Sequence, residues 1–207
     1  MPSIPLTIDA RLRRAARLPA LPTAVDGRIT ALELAVLIGA GVVASLLTNV
    51  TRLRLGIPGS NIVFVAFPLA LGFALVPRRG AGLVMAGGAL AANAALMLAG
   101  ARLDGVGAQT SLLLTGPLLD LALRWFGGGW HLYAAFLAAC AASNAVAFLV
   151  RGVARAAGMR GVGTGAGRSF IEWWPHAIWT YALAGLVAGL VSAAAWFHLR
   201  ERRERAP

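Results

Sequence analysis

Four asparagines, a glutamine, a lone acid and a pair of arginines are the residues of this chain whose types could do chemistry, and all sit in or beside long apolar runs. Asn93 and Asn144 fall in mid-run, Asn49 and Asn61 bracket a short basic loop, and Gln109 and Thr115 lie in the fourth run. A buried amide needs hydrogen-bond partners. These groups therefore either join helices to one another or line one polar pocket for a small ligand. Asp120 is the only acid deep in an apolar run after the first. Such acids point to proton or ion handling. Arg124 lies four residues on, so an i,i+4 pair reaching the interface, or a contact with another subunit, also accounts for both.

The loop 51–61, TRLRLGIPGSN, carries Arg52 and Arg54. In an extended segment both side chains point the same way, where they could clamp an anionic group or meet lipid head groups. Glu172, Trp173, Trp174, His176 and Trp179 precede the last apolar run. Tryptophans there suit the membrane interface, or Trp174 and His176 could cap a pocket. His131, His176 and His198 form no i,i+3 or i,i+4 pair, and Cys140 is the only cysteine, so neither a metal site nor a cofactor is expected. Gly158, Gly161, Gly163, Gly165 and Gly167 make a loop, not a phosphate cradle, because no strand precedes it and GK[ST] is absent. No Ser/His, Asp/Asp or His/Glu cluster has catalytic spacing, so the chain is not expected to be an enzyme.

The elements that must position these residues are six apolar stretches, at about 31–50, 58–76, 81–100, 105–123, 129–150 and 174–199. A helix needs about 20 residues to cross a bilayer core. The spacing predicts an all-α, polytopic membrane protein of about six transmembrane helices with short loops. It divides into a basic arm over 1–30, a membrane domain over 31–199 and a charged tail over 200–207. The arm either carries an amphipathic helix at 9–18 lying on the membrane or is simply solvated. The weakest span is 58–76, which contains Pro58 and Pro68. Pro117 cannot donate to the Leu113 carbonyl, which predicts a kink in the fourth helix.

The 207 residues are 58% hydrophobic with a net charge of +11, and all 19 basic residues are Arg. A soluble protein with this charge would suggest nucleic acid. Here the arginines flank apolar runs, so membrane lipid is the expected partner and nucleic acid is not. With six spans, one side receives Arg11, Arg13, Arg14, Arg17, Arg28, Arg78, Arg79, Arg124, Arg200, Arg202, Arg203 and Arg205. The other receives Arg52, Arg54, Arg102, Arg151, Arg155, Arg160 and Arg168. The excess places both termini in the cytoplasm and the chain in the inner (plasma) membrane.

The size, six short-looped helices, Ala40-xxx-Ala44 in the first helix, and a first loop running into NIVFVAFPLALGFALVPRRGAG together give the chain a resemblance. It resembles the substrate-binding S components of energy-coupling factor (ECF) transporters, ABC importers of vitamins and transition metals. That resemblance implies that Ala40 and Ala44 dock on a transmembrane coupling subunit. Asp120 and Arg124 are further candidates for a partner contact. Loops 51–61, 101–108 and 151–173 would cover a small-molecule substrate. Two cytoplasmic ATPases would drive toppling of the whole component. The start MPSIPL lacks the Met-His motif of metal-specific members, which disfavours nickel and cobalt. Candidate substrate residues are Asn49, Arg52, Arg54, Asn61, Asn93, Gln109, Asn144, Trp174 and His176. The rival reading is a scaffold subunit, as in cell-wall machinery, where the same polar residues hold helices together and no small ligand binds.

Overall fold

The computed structural model describes residues 6–22, 28–50, 59–101, 103, 105–126, 129–157 and 170–198, without the side chains of 50 and 170–172. The chain is an all-α polytopic membrane protein. Its helices are α1 (Ala10–Ala15), α2 (Ala31–Val50), α3 (Ile62–Leu75), α4 (Ala81–Leu98), α5 (Val106–Trp125), α6 (Trp130–Ala156) and α7 (Phe170–Trp196). Helices α2, α4, α5, α6 and α7 are long and apolar enough to cross a membrane.

Helix α3 is the exception. At 14 residues it is about 21 Å long, against about 30 Å for a bilayer core. Nine of its residues, including Phe73 at 0% exposure, are buried. A helix that is apolar all round belongs inside a bundle. The others pack in the ring order α2–α4–α5–α6–α7, and α3 closes the ring between α7 and α2 while also touching α4, α5 and α6. The span expected to be weakest is thus a short inner helix. Its Pro68 is tolerated within α3, as Pro117 is within α5, which runs unbroken from 106 to 125.

Close backbone approach sets the packing. A Cβ on Gly82 of α4 would overlap the Gly116 carbonyl of α5, and a Cβ on Gly116 would overlap the Gly82 carbonyl. Gly41 of α2 meets the Met85 carbonyl of α4 in the same way. Small residues at membrane helix crossings allow this approach, and dispersion then does the work that the hydrophobic effect does in water.

The helices alternate in direction, so the bundle has two distinct ends. One holds the starts of α2, α4 and α6 and the ends of α3, α5 and α7. The segment 6–22 lies across this end as a strap. Its first helical turn is capped by Asp9, which accepts from the Arg11 and Leu12 N–H groups, and Leu12 is buried. The Asp9 N–H donates to the Pro77 carbonyl at 2.7 Å, and the Arg79 N–H to Thr7 at 2.9 Å. Further on, Arg17 N–H reaches the Trp196 carbonyl at 2.9 Å and Leu21 N–H reaches Leu75 at 3.0 Å. Of the expected helix at 9–18, six residues, Ala10–Ala15, are helical, and the strap is hydrogen-bonded to the bundle.

Gly82→Ala and Gly116→Ala should each lower stability by about 1–3 kcal/mol through overpacking against backbone. Gly87→Ala, which points into open space, should be neutral or slightly stabilising. Thermal unfolding of the three variants in one detergent checks this, and equal melting temperatures would contradict the crossing.

Candidate functional site

At the end opposite the strap, three helices place amides against one another. Asn49 closes the last turn of α2, Asn93 sits in the C-terminal third of α4, and Gln109 lies in the first turn of α5. Asn49 Nδ2 donates to Asn93 Oδ1 at 3.0 Å, Asn93 Nδ2 donates to Gln109 Oε1 at 2.5 Å, and Gln109 Nε2 donates to Asn49 Oδ1 at 2.9 Å. The bonds form a closed ring, each amide giving one hydrogen bond and taking one. Two more contacts fix its direction. Ser45 Oγ donates to Asn93 Oδ1 at 2.8 Å, and Asn49 Nδ2 donates to the Ser45 carbonyl at 2.9 Å. Asn93 is buried, while Asn49 and Gln109 are half-buried. The three amides singled out in the sequence on α2, α4 and α5 are therefore one group.

Asn144 belongs to a second group at the same end. Its Nδ2 donates to the Tyr181 carbonyl of α7 at 2.6 Å and, at 3.3 Å, to the carbonyl of Gly59, just before α3. Gly59 has φ +83° and no room for a side chain beside Tyr181, so this turn requires glycine. Arg151 Nη1 donates to the Tyr181 hydroxyl at 3.1 Å, and that hydroxyl lies beside Gly107 at the start of α5. Phe148 packs on Trp173, Trp174 and Tyr181 with ring centroids 5.5, 4.5 and 5.5 Å apart. The Arg151 and Arg155 guanidinium groups lie 5.8 and 5.3 Å from the Trp173 ring, within cation–π range. The tryptophans thus do more than mark the interface, because Trp173 is buried under two arginines.

The remaining candidates scatter. Asn61 holds the N-cap position of α3 without a side-chain capping bond. Thr115 pairs with Ser143 at 2.9 Å across α5 and α6, apart from the amide ring. Trp174 is half-buried on Phe148, whereas His176 is exposed on α7 and lines neither group. Arg52 and Arg54 lie outside the described residues. Ala44 has no exposed surface and is spent on this chain's own packing, whereas Ala40 is half-buried beside Gly72 of α3 and lines a surface groove between α2 and α3. Among the described residues no cluster of His, Cys, Asp or Glu could hold a metal ion.

Asp120 also has an internal role. Its Oδ1 accepts the Gly80 N–H at 2.8 Å and its Oδ2 accepts the Leu83 N–H at 3.0 Å. The carboxylate caps the N-terminus of α4, where unpaired N–H groups and the helix dipole favour a negative charge. The i,i+4 ion pair with Arg124 does not form: among the described residues no ion pair joins them, and Arg124 is exposed.

The site that sequence reasoning missed lies at the strap end. Glu33 and Arg78 form a two-pronged ion pair, Nε to Oε1 at 2.9 Å and Nη2 to Oε2 at 3.0 Å, with exposures of 1% and 0%. Arg78 also donates to the Leu6 carbonyl of the strap at 2.6 Å and to the Arg28 carbonyl at 2.9 Å. Glu33 accepts the Thr30 N–H at 2.8 Å while Thr30 Oγ1 accepts the Glu33 N–H at 3.1 Å. That reciprocal pair is a capping box, and T-x-x-E was readable in the sequence. Nothing in the sequence distinguishes Arg78 from Arg79.

No family model matches the chain, and no curated protein or solved structure matches it significantly.

Arg78→Met alone should cost about 3–5 kcal/mol, because it leaves Glu33 buried without its partner. The double variant Glu33→Leu, Arg78→Met should recover a large part of that loss. Denaturant titration in mixed micelles measures both, and a single variant no worse than the double would show that the pair is not buried as described.

Proposed function

We propose that the chain is the membrane-embedded solute-binding subunit of a multi-subunit importer, energised by ATPases on separate chains through a transmembrane coupling subunit. The observation that carries this reading is the Asn49–Asn93–Gln109 ring. Amides both donate and accept, so a polar ligand could replace ring bonds nearly one for one at little net cost. Trp174, half-buried on Phe148, adds aromatic surface at the same end, and Arg151 and Arg155 add positive charge. The strap end, by contrast, is closed by a bonded segment and a buried ion pair. On this reading the strap end is cytoplasmic, as the excess of arginine expects, and the amide ring faces outward. A small vitamin-like or anionic solute suits such a site. No ATP-binding motif occurs in the sequence, which is why the energy must come from another chain.

A specific observation favours the second reading, a scaffold subunit without a small ligand. The ring is already closed on itself, as inter-helix hydrogen bonds in membranes commonly are. In that case Asn49, Asn93 and Gln109 serve only to join α2, α4 and α5.

Native mass spectrometry of the protein extracted from its own membranes in a mild detergent separates the two. The importer reading expects a membrane partner with two ATPase chains, or a small ligand at one per chain, and expects Asn93→Leu to abolish the ligand. Isolation with other membrane machinery, without ligand or ATPase, would favour the scaffold.

A further inference from the structure

At the strap end every acid among the described residues is consumed internally. Asp9 caps α1, Glu33 holds Arg78 and Asp120 caps α4, and all three are buried. The arginines around them, apart from Arg78, are exposed: Arg11, Arg13, Arg14 and Arg17 on the strap, then Arg28, Arg79 and Arg124. Arg124 is near enough to Asp120 to interact with its charge, and no ion pair to a described carboxylate joins the other exposed arginines.

An apolar groove of ≈ 140 Å³ runs along the membrane-facing surface between α2 and α3. Val36, Ala40 and Val43 form one wall and Leu71 and Leu75 the other. Leu75 is the last residue of α3, and its carbonyl accepts the Leu21 N–H of the strap, so the groove opens at the basic end. Arg17 lies four residues before Leu21 on the strap, with its N–H on the Trp196 carbonyl and its Nε on the Phe197 carbonyl at the end of α7, the helix on the other side of α3. Arg28 lies just before α2, its carbonyl held by Arg78. A groove of this size with no polar wall stays dry and takes an apolar guest, and in a bilayer that guest is a hydrocarbon chain.

We propose that this is a seat for one anionic phospholipid, with an acyl chain between α2 and α3 and its phosphate against Arg17 and Arg28. The charge decides the occupant. A neutral lipid or an apolar helix would fill the groove equally well, but neither would answer the exposed arginines of the strap end. The site does not use the amide ring, but its Ala40 wall is part of the face that the importer reading gives to the coupling subunit, so lipid and that subunit would compete for it.

The test incubates the full-length protein in mild detergent with phosphatidylglycerol or with phosphatidylcholine of the same chains, and counts retained lipid by native mass spectrometry. One phosphatidylglycerol per chain should survive, with phosphatidylcholine retained at least about tenfold less. Arg17→Gln with Arg28→Gln should weaken retention of phosphatidylglycerol about thirtyfold, as expected for two surface arginines. Val43→Trp should exclude both lipids by filling the groove. Val43 is 46% exposed, so the change leaves the core intact. Glycerol phosphate, which lacks chains, should not displace the bound lipid. Equal retention of the two lipids, undiminished retention in either variant, displacement by glycerol phosphate, or a partner helix found in the groove in place of lipid would each overturn the proposal.

Discussion

The buried Glu33–Arg78 pair is the interaction on which one whole end of this protein depends. Removing two charges from water is costly, and the cost is met only when geometry and further hydrogen bonds are good. Here Arg78 is held by a carboxylate on α2 and by carbonyls of the strap and of the segment before α2. Glu33 is held in turn by the Thr30 capping box. The α3–α4 turn cannot move without stranding one of these groups. Gly80, at φ +85°, then starts α4 against Asp120, so the charge network passes directly into the α4–α5 crossing at Gly82 and Gly116. Such a network fixes which segments meet more than it adds net stability.

The two ends use polarity differently. At the strap end, the buried charges Asp9, Glu33, Arg78 and Asp120 are held in a fixed pair and in backbone caps, while the other arginines are exposed. At the opposite end, neutral amides, a tyrosine hydroxyl and guanidinium groups over an indole make exchangeable contacts. Rigid closure on one side and exchangeable polar groups on the other is the asymmetry that the solute-binding reading needs. The Ala40–Ala44 face fits that reading less directly, since Ala44 is spent on internal packing.

Much of this was legible in the sequence. Apolar runs of about 20 residues marked α2, α4, α5, α6 and α7, because length in a bilayer is a hard constraint. The prolines at 58 and 68 marked the weak span, and α3 is short and central. Asn49, Asn93 and Gln109 were visible as expensive polar residues, but their meeting depends on the order of helices around the ring, which no local pattern encodes. Asp120 shares a helical face with Arg124, which is the pairing that the sequence suggests. Its bonds instead go to the start of another helix, where two N–H groups outcompete one exposed guanidinium. From the sequence Arg78 is only one more charge that orients the chain in the membrane, because in Pro77-Arg78-Arg79-Gly80 neither neighbour reveals which arginine turns inward.

The proposed function requires that the strap end and the amide end lie on opposite sides of the membrane, the strap inside. Cys140 is buried and is the only cysteine, so a Cys140→Ala background permits single reporters. A cysteine replacing Leu98, 90% exposed at the amide end, and another replacing Arg13 on the strap would be treated in intact cells with a membrane-impermeant maleimide. The account predicts labelling of the first without permeabilisation and of the second only after it. The reverse pattern, or labelling of both from outside, would contradict it.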